Sequence, residues 1–402
     1  MTGRSGVLGL KVCLPVASFA TPMKTKILML GHSYVVSLNR RLCRELAIAG
    51  GDRVEVTVAA PASFQGDMGP IQLSAGAEEP YQLVPVPVHL AKKVHVFRYS
   101  RRLKQLLSST PWDVVHAWEE PYILASAQVA YHTPRTSRLV YSSFQNLSKV
   151  YPPPFRQFER YCLKRASGWT AFGETIAETL RDRAGYRDRP MRTIPLGVDL
   201  KVFQPDESAR RAILQTLGWS EPGPPVVGFL GRFVPQKGID LLCRALAQLD
   251  PSSWRMLWVG GGPMEESLRA WAGRHGDRVR VVTGVGHDAV NGYLNAMDLL
   301  AAPSQTTPRW KEQFGRMLLE AMATGLPVVA SDSGEIPHVV ADAGRIVPEA
   351  DEAAWVSTLQ TLLDSPALRR ELGDRGRARV RDVYDWAIVA RDYLDFFQQL
   401  RA

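Results

Sequence analysis

Cysteine is scarce in this chain. Its 402 residues hold four, Cys13, Cys43, Cys162 and Cys243. No two form a CxxC pair and none stands near a histidine at metal-ligand spacing, which argues against a disulfide framework or a cysteine-built zinc site. Scattered, reduced thiols fit a cytosolic setting. No apolar run approaches the ~20 residues needed to cross a bilayer. No low-complexity tract points to disorder. The first apolar strand, Ile27–Leu30, runs into Gly31-His32-Ser33-Tyr34 rather than GxGxxG. That gap argues against a nicotinamide dehydrogenase, the default reading of such a strand, and no P-loop sequence occurs elsewhere.

Hydrophobic content of 45% and charged content of 22% are those of a globular chain with a sizeable core. Its length is enough for two or three domains. Residues 1–22 mix a faint signal-like stretch with Lys11 and Pro15, which interrupt it. Met23-Lys24-Thr25-Lys26 leads straight into the first strand, so residues 1–22 are expected to be a leader or an upstream start, without order.

Charge is unevenly placed. Residues 1–200 carry 26 Lys and Arg against 15 Asp and Glu, whereas residues 201–402 carry 23 against 25. The basic half contains Lys92, Lys93, Arg98, Arg101, Arg102 and Lys104, then Arg156, Arg160, Lys164 and Arg165. Such a run fits a solvated helix face. Leu90, Val94, Val96, Phe97, Leu103 and Leu106 interleave it with apolar groups, which also fits docking on an anionic membrane surface. No zinc-finger or RNP signature speaks for nucleic acid, and none is expected as a partner.

Short apolar strands alternate with amphipathic helices along the whole chain, the pattern of parallel sheets covered on both faces. The expected fold is α/β, two Rossmann-like doubly wound domains facing across a cleft. The first covers residues 23–200 and the second 201–385, with a boundary between Leu196-Gly197-Val198-Asp199 and Pro222-Gly223-Pro224-Pro225. An aromatic-rich helix over 386–402 is expected to cross back to the first domain. Ligands of such folds bind outside the carboxyl ends of the strands.

Four motifs carry chemistry. Strand Val226–Leu230 ends in Gly231-Arg232, with Lys237-Gly238 following. Arg232 can fork two phosphate oxygens, Lys237 adds a mobile charge, and Gly231 lets backbone approach a ligand. Gly260-Gly261-Gly262-Pro263 is either a phosphate loop or a tight strand-to-helix turn. Glu312-Gln313-Phe314-Gly315 precedes a helix that stops at Gly325 and Pro327, with Glu320 about two turns down it. That helix mouth favours phosphate, and the carboxylates favour hydroxyls. Finally, Trp118-Glu119-Glu120 ends strand Val114–Ala117. Glu119 and Glu120 would either read acceptor hydroxyls or cap the next helix, and His116 is expected as a core histidine.

These residues, with Pro303-Ser304, Gly325-Leu326-Pro327-Val328-Val329, Ser333-Gly334-Glu335-Ile336-Pro337 and Ile194-Pro195-Leu196-Gly197-Val198-Asp199, resemble the retaining GT-B glycosyltransferases of family 4. The resemblance covers about 200 continuous residues of the second half. It implies that Arg232 and Lys237 hold a diphosphate, Glu320 the ribose, Glu312 the donor sugar, and backbone at Phe314 and Gly315 the sugar or phosphates. Backbone around Gly284 and Val285 would meet the base. The chemistry it implies is electrostatic, without cofactor or metal, and the absence of an Asp-x-Asp motif fits. The donor would be a UDP- or GDP-linked sugar, and the acceptor a glycan or lipid-linked hydroxyl at the inner face of a membrane. One departure stands out. Where the family often has a histidine, this chain has Gln145 and Asn146, amides that bind hydroxyls but cannot act as acid or base near neutrality. A GT-B epimerase or phosphorylase, and a non-catalytic sugar-nucleotide-binding subunit, are the competing readings.

Overall fold

The computed structural model describes residues 24–66, 69–74 and 79–402. The expected leader over 1–22 lies outside the described residues, as does Cys13.

Two parallel sheets form the frame. The first runs, edge to edge, Met191–Thr193, Gly168–Ala171, Arg138–Ser143, Val114–Ala117, Thr25–Leu30, Val54–Pro61 and Gln82–Val86. The second runs Val279–Thr283, Arg255–Gly261, Val226–Arg232, Leu299–Ala302, Val328–Ser331 and Arg345–Val347. Their central strands are buried on both faces, as Ile27 to Leu30 and Val114 to Ala117 illustrate. Helices cover each side, so these strands read as unbroken apolar runs rather than as alternation.

Chain direction across the first sheet reverses between Thr25–Leu30 and Val114–Ala117. In the second it reverses between Val226–Arg232 and Leu299–Ala302. A crevice opens outside the carboxyl ends of the strands at each reversal. In the first sheet Leu30 pairs with Ala117, so Gly31-His32 and Trp118-Glu119 emerge side by side.

The strands expected at Ile27–Leu30, Val114–Ala117 and Val226–Leu230 are present, the first starting at Thr25 and the last running on to Arg232. The apolar run from Leu83 does not continue as one strand to Val88: the strand stops at Val86, and Val88 pairs instead with Tyr99 in a separate antiparallel ribbon. Pro87 lies between them and cannot donate to a ladder. The segment that follows the first strand forms a 3-10 turn over Ser37–Arg40 and becomes α-helical over Arg41–Gly50. Helix Pro366–Arg379 went unforeseen, because its charges and glycines hide its buried side. Those glycines have a packing role: a side chain on Gly373 would fall 2.1 Å from the Gly325 carbonyl oxygen.

The final helix, Trp386–Arg401, leaves the second sheet and packs on Arg41–Gly50 of the first unit. Phe396 lies over Gly168, and the Tyr393 hydroxyl reaches Thr170 Oγ1 at 3.4 Å. The two passages of chain between the units run alongside each other. Val198 N–H donates to the Tyr384 carbonyl at 2.8 Å, and Trp386 lies flat on Gly197. Among the described residues no helix is long and apolar enough to cross a membrane.

Candidate active site

At the reversal point of the second sheet the loop after Leu299–Ala302 brings Ser304 and Glu312 together. Glu312 is only 7% exposed. Its Oε2 takes the Ser304 hydroxyl at 3.0 Å and forms a short ion pair with Lys237 Nζ. Lys237 also lies 5.3 Å from the centre of the Trp310 ring. The two expected ligand-binding groups thus hold each other here. The Glu312 main chain is equally fixed: its carbonyl accepts from Glu335 N–H at 3.1 Å and from Asn146 Nδ2 at 3.0 Å. Asn146 belongs to the first unit, so this loop is pinned across the cleft.

Gly315 caps the following helix, Arg316–Ala323, from a left-handed conformation (φ 79°), and no side chain caps the helix start. An L side chain resists that φ, and the free mouth carries partial positive charge. Phe314 is buried beside Tyr384. Glu320 is 6% exposed. Its carboxylate makes no hydrogen bond among the described residues. Burial pushes its carboxyl up to about 7, while the Arg316 charge pulls the other way. The family resemblance gives Glu320 the ribose hydroxyls; in that role an ionised carboxylate accepts from them, and nucleotide affinity is expected to rise with pH through about 7 and then level off. Titration calorimetry with UDP or GDP between about pH 6 and pH 8 checks this. Glu320→Gln should flatten the Glu320 part of the profile, leaving the phosphate's own titration near pH 6. A wild-type profile identical to that of the variant would refute it.

Gly231 and Arg232 close strand Val226–Arg232, with Arg232 exposed. Gly262 packs against this strand end: a side chain there would lie 2.6 Å from the Phe233 carbonyl oxygen, which accepts from Met264 N–H at 3.0 Å. The helix it opens, Glu265–Gly273, carries Glu265 and Glu266 in its first turn. The glycine run is therefore a tight turn with negative charge at its mouth. Val285 is half-buried next to the exposed Gly284.

The first unit differs more from expectation. Glu119, expected to read acceptor hydroxyls or to cap a helix, does neither: its side chain is wholly buried. It accepts from the His32 backbone N–H at 2.5 Å, from His32 Nδ1 at 2.6 Å and from the Tyr99 hydroxyl at 3.2 Å. The pairing follows from sheet order, which sets the two strand ends side by side. Burial lowers the His32 proton affinity, but the Glu119 charge and hydrogen bond outweigh it, so its pKa is raised. His32 packs against the rings of Phe64 and Phe97, which also touch each other. Glu120 caps no helix either, since helix Leu124–His132 starts at Ile123 without a side-chain cap. Its carboxylate takes Phe144 N–H at 2.6 Å and the Ser143 hydroxyl at 2.9 Å. Burial pushes it to about 7, partly opposed by those two bonds. Gln145 is buried, donating to the Leu147 carbonyl and accepting from the Tyr151 hydroxyl. His116 is a core residue as expected. One ring nitrogen meets Ser142 Oγ at 2.8 Å, Nδ1 has no partner among the described residues, and burial drops its pKa to about 3.

The units also meet through Glu335, which is 3% exposed. Its carboxylate accepts from the N–H groups of Glu174 and Thr175, each at 2.8 Å, and from the Thr175 hydroxyl. Helix Glu174–Arg181 has no side-chain cap of its own at Gly173. The second unit supplies it.

Two doubly wound parallel sheets, with a final helix returning from the second to the first, define a GT-B fold. The solved structure of Anabaena Alr3699/HepE in complex with UDP has it: TM-score 0.70, 20% identity, 93% of this chain and 100% of that one covered. So does WaaG, a glycosyltransferase involved in lipopolysaccharide biosynthesis: TM-score 0.64, 20% identity, 92% and 99% covered. In sequence, the family description Glycosyltransferase Family 4 matches residues 35–202, and Glycosyl transferases group 1 matches residues 224–365. The chain belongs to glycosyltransferase family 4. It is 30% identical to the lipopolysaccharide core biosynthesis mannosyltransferase LpsB of Rhizobium meliloti, over 74% of this chain and 86% of that protein. It is 33% identical to a GDP-mannose-dependent monoacylated alpha-(1-6)-phosphatidylinositol monomannoside mannosyltransferase of Corynebacterium glutamicum, over 51% of this chain and 55% of the relative. The chain thus spans about half the length of several curated relatives it matches.

Proposed function

We propose that this chain is a metal-independent, retaining glycosyltransferase that moves a sugar from a UDP- or GDP-linked donor to a hydroxyl of a glycan or lipid-linked acceptor. The observation that carries this is the cluster of Lys237, Glu312 and Ser304 beside an uncapped helix mouth, pinned by Asn146 from the facing unit. An arriving diphosphate takes Lys237 from Glu312, which frees the carboxylate for sugar hydroxyls. The bond from the anomeric carbon to phosphate oxygen breaks, and the bond to the acceptor oxygen forms on the same face. The acceptor's proton passes to the leaving phosphate. Arg232, Lys237 and the helix end meet the developing charge, which is the work a metal would otherwise do. The relative's GDP-mannose dependence and the neighbour's bound UDP support the two donor classes. A thermal-shift panel of UDP- and GDP-sugars tests the donor. At a hundredfold its dissociation constant a donor adds about 2.7 kcal/mol. Product NMR then reads the anomer, and an inverted product, or no donor binding at all, would defeat the proposal.

The acceptor half fits a cytoplasmic site at the inner membrane face. Lys92, Lys93, Arg98, Arg101, Arg102, Lys104, Arg156, Arg160 and Lys164 are all exposed. Of the apolar residues between them, Phe97 and Leu103 belong to the core, whereas Leu90 is 60% and Val94 41% exposed. Sedimentation with phosphatidylglycerol vesicles, but not with phosphatidylcholine vesicles, is the expected result. Lys92→Glu with Lys93→Glu should weaken it by ~10-fold or more, at about 1 kcal/mol per basic residue. Equal sedimentation with both lipids would count against membrane docking.

A further inference from the structure

Between the units lies a cavity of about 410 Å³, walled by Arg41 of the first helix, Asp199 and Phe203 of the linker, and His287, Arg316 and Glu320 of the second unit. That is within the range of small-molecule sites. Arg41 and Asp199 form an ion pair. Arg316 and Glu320 are different. Glu320 is buried and Arg316 half-buried, and their opposite charges act on each other, yet neither side chain makes a hydrogen bond or a close ion pair among the described residues. Enclosed polar groups are ordinarily hydrogen-bonded. Two that are not, on one wall of one cavity, mark a place built for a ligand.

Resting on the donor reading above, we infer that Arg316 holds the phosphate next to the ribose when a nucleotide fills this cavity. Arg316 is the first residue of helix Arg316–Ala323. Helix side chains lean toward the N-terminus, so its guanidinium stands over the same free mouth that attracts anions. Glu320 is four residues on, on the same face and about one turn away. A ribose on Glu320 therefore places its 5′ phosphate at Arg316. Lys237 lies at the far side of the loop with Glu312 and Ser304, where the phosphate bearing the sugar belongs. The cations divide accordingly: Lys237 and Arg232 serve the leaving phosphate, and Arg316 the inner one.

Calorimetry of the full chain with GDP, GMP and guanosine, and with UDP, UMP and uridine, separates these roles. Arg316→Leu is expected to weaken the mono- and diphosphates by about tenfold to a hundredfold, the worth of a charge-assisted contact, and to leave the nucleosides unchanged. Arg316→Lys should recover part of the loss, because it keeps a charge without the fork. Arg316→Gln gives the same separation should the leucine variant fail to fold. Equal loss for nucleoside and monophosphate, or no loss for either, overturns the assignment while the donor reading stands. A wild-type chain that binds none of the six compounds overturns both.

Discussion

Glu312→Ala is expected to cut sugar transfer by about 10²–10³-fold, in the range seen when one preorganised group at a reacting centre is removed. The same substitution has a second effect that a purely catalytic residue would lack. Lys237 and Glu312 are both largely buried, with side chains 12% and 9% exposed. Removing one partner of such a pair leaves an uncompensated charge and costs about 3–5 kcal/mol. The empty variant should therefore melt well below wild type. Nucleotide changes this balance, because in wild type a phosphate must displace the carboxylate from Lys237, and in the variant it meets a vacant lysine. UDP or GDP should accordingly raise the melting temperature of Glu312→Ala by more than it raises that of wild type. Turnover with the identified donor, and melting curves with and without nucleotide, measure both effects. Undiminished turnover would show that the reacting centre lies elsewhere.

The second large effect is expected far from the chemistry, at the cap that Glu335 lends to helix Glu174–Arg181. Losing a charged cap with three accepted hydrogen bonds costs about 2–3 kcal/mol, so Glu335→Ala should lower the melting temperature by several degrees. Gly173→Ala should do the same from the opposite side. A methyl group on Gly173 would lie 2.2 Å from Glu335 Cδ and must expel the carboxylate. Because both substitutions break one contact, the double variant should be little worse than either single one. Glu335 N–H also donates to the Glu312 carbonyl at 3.1 Å, so turnover should fall along with stability. Additive losses in the double variant would mean that the two residues act independently.

Much of this was legible because the residues concerned are local. The strands announced themselves as apolar on both faces. The Glu312 to Glu320 spacing announced a loop and a helix, and Gly315 its start. What stayed hidden depends on sheet order. Nothing in the chain says that the strand ends at Leu30 and Ala117 are neighbours, so the His32 and Glu119 pair was invisible and Glu119 read as an acid for acceptor hydroxyls or a helix cap. Lys237 and Glu312 were each assigned a ligand, because their separation along the chain conceals that they meet. Arg316 went unread in the chain, and only the structure sets it with Glu320 on the wall of a cavity. The packing of Gly262 on Phe233 was equally hidden, because those residues lie far apart in the chain and meet only across neighbouring strands.

The paired passages between the units bear on how the cleft can work. A single linker would let one unit both swing and twist about its neighbour. Here two segments lie side by side, bridged at Val198 and Asp385 and bonded from Val198 N–H to the Tyr384 carbonyl. A second tether bonded to the first removes part of that freedom. The rims of the cleft are therefore expected to keep a more constant relative orientation than a single linker would impose.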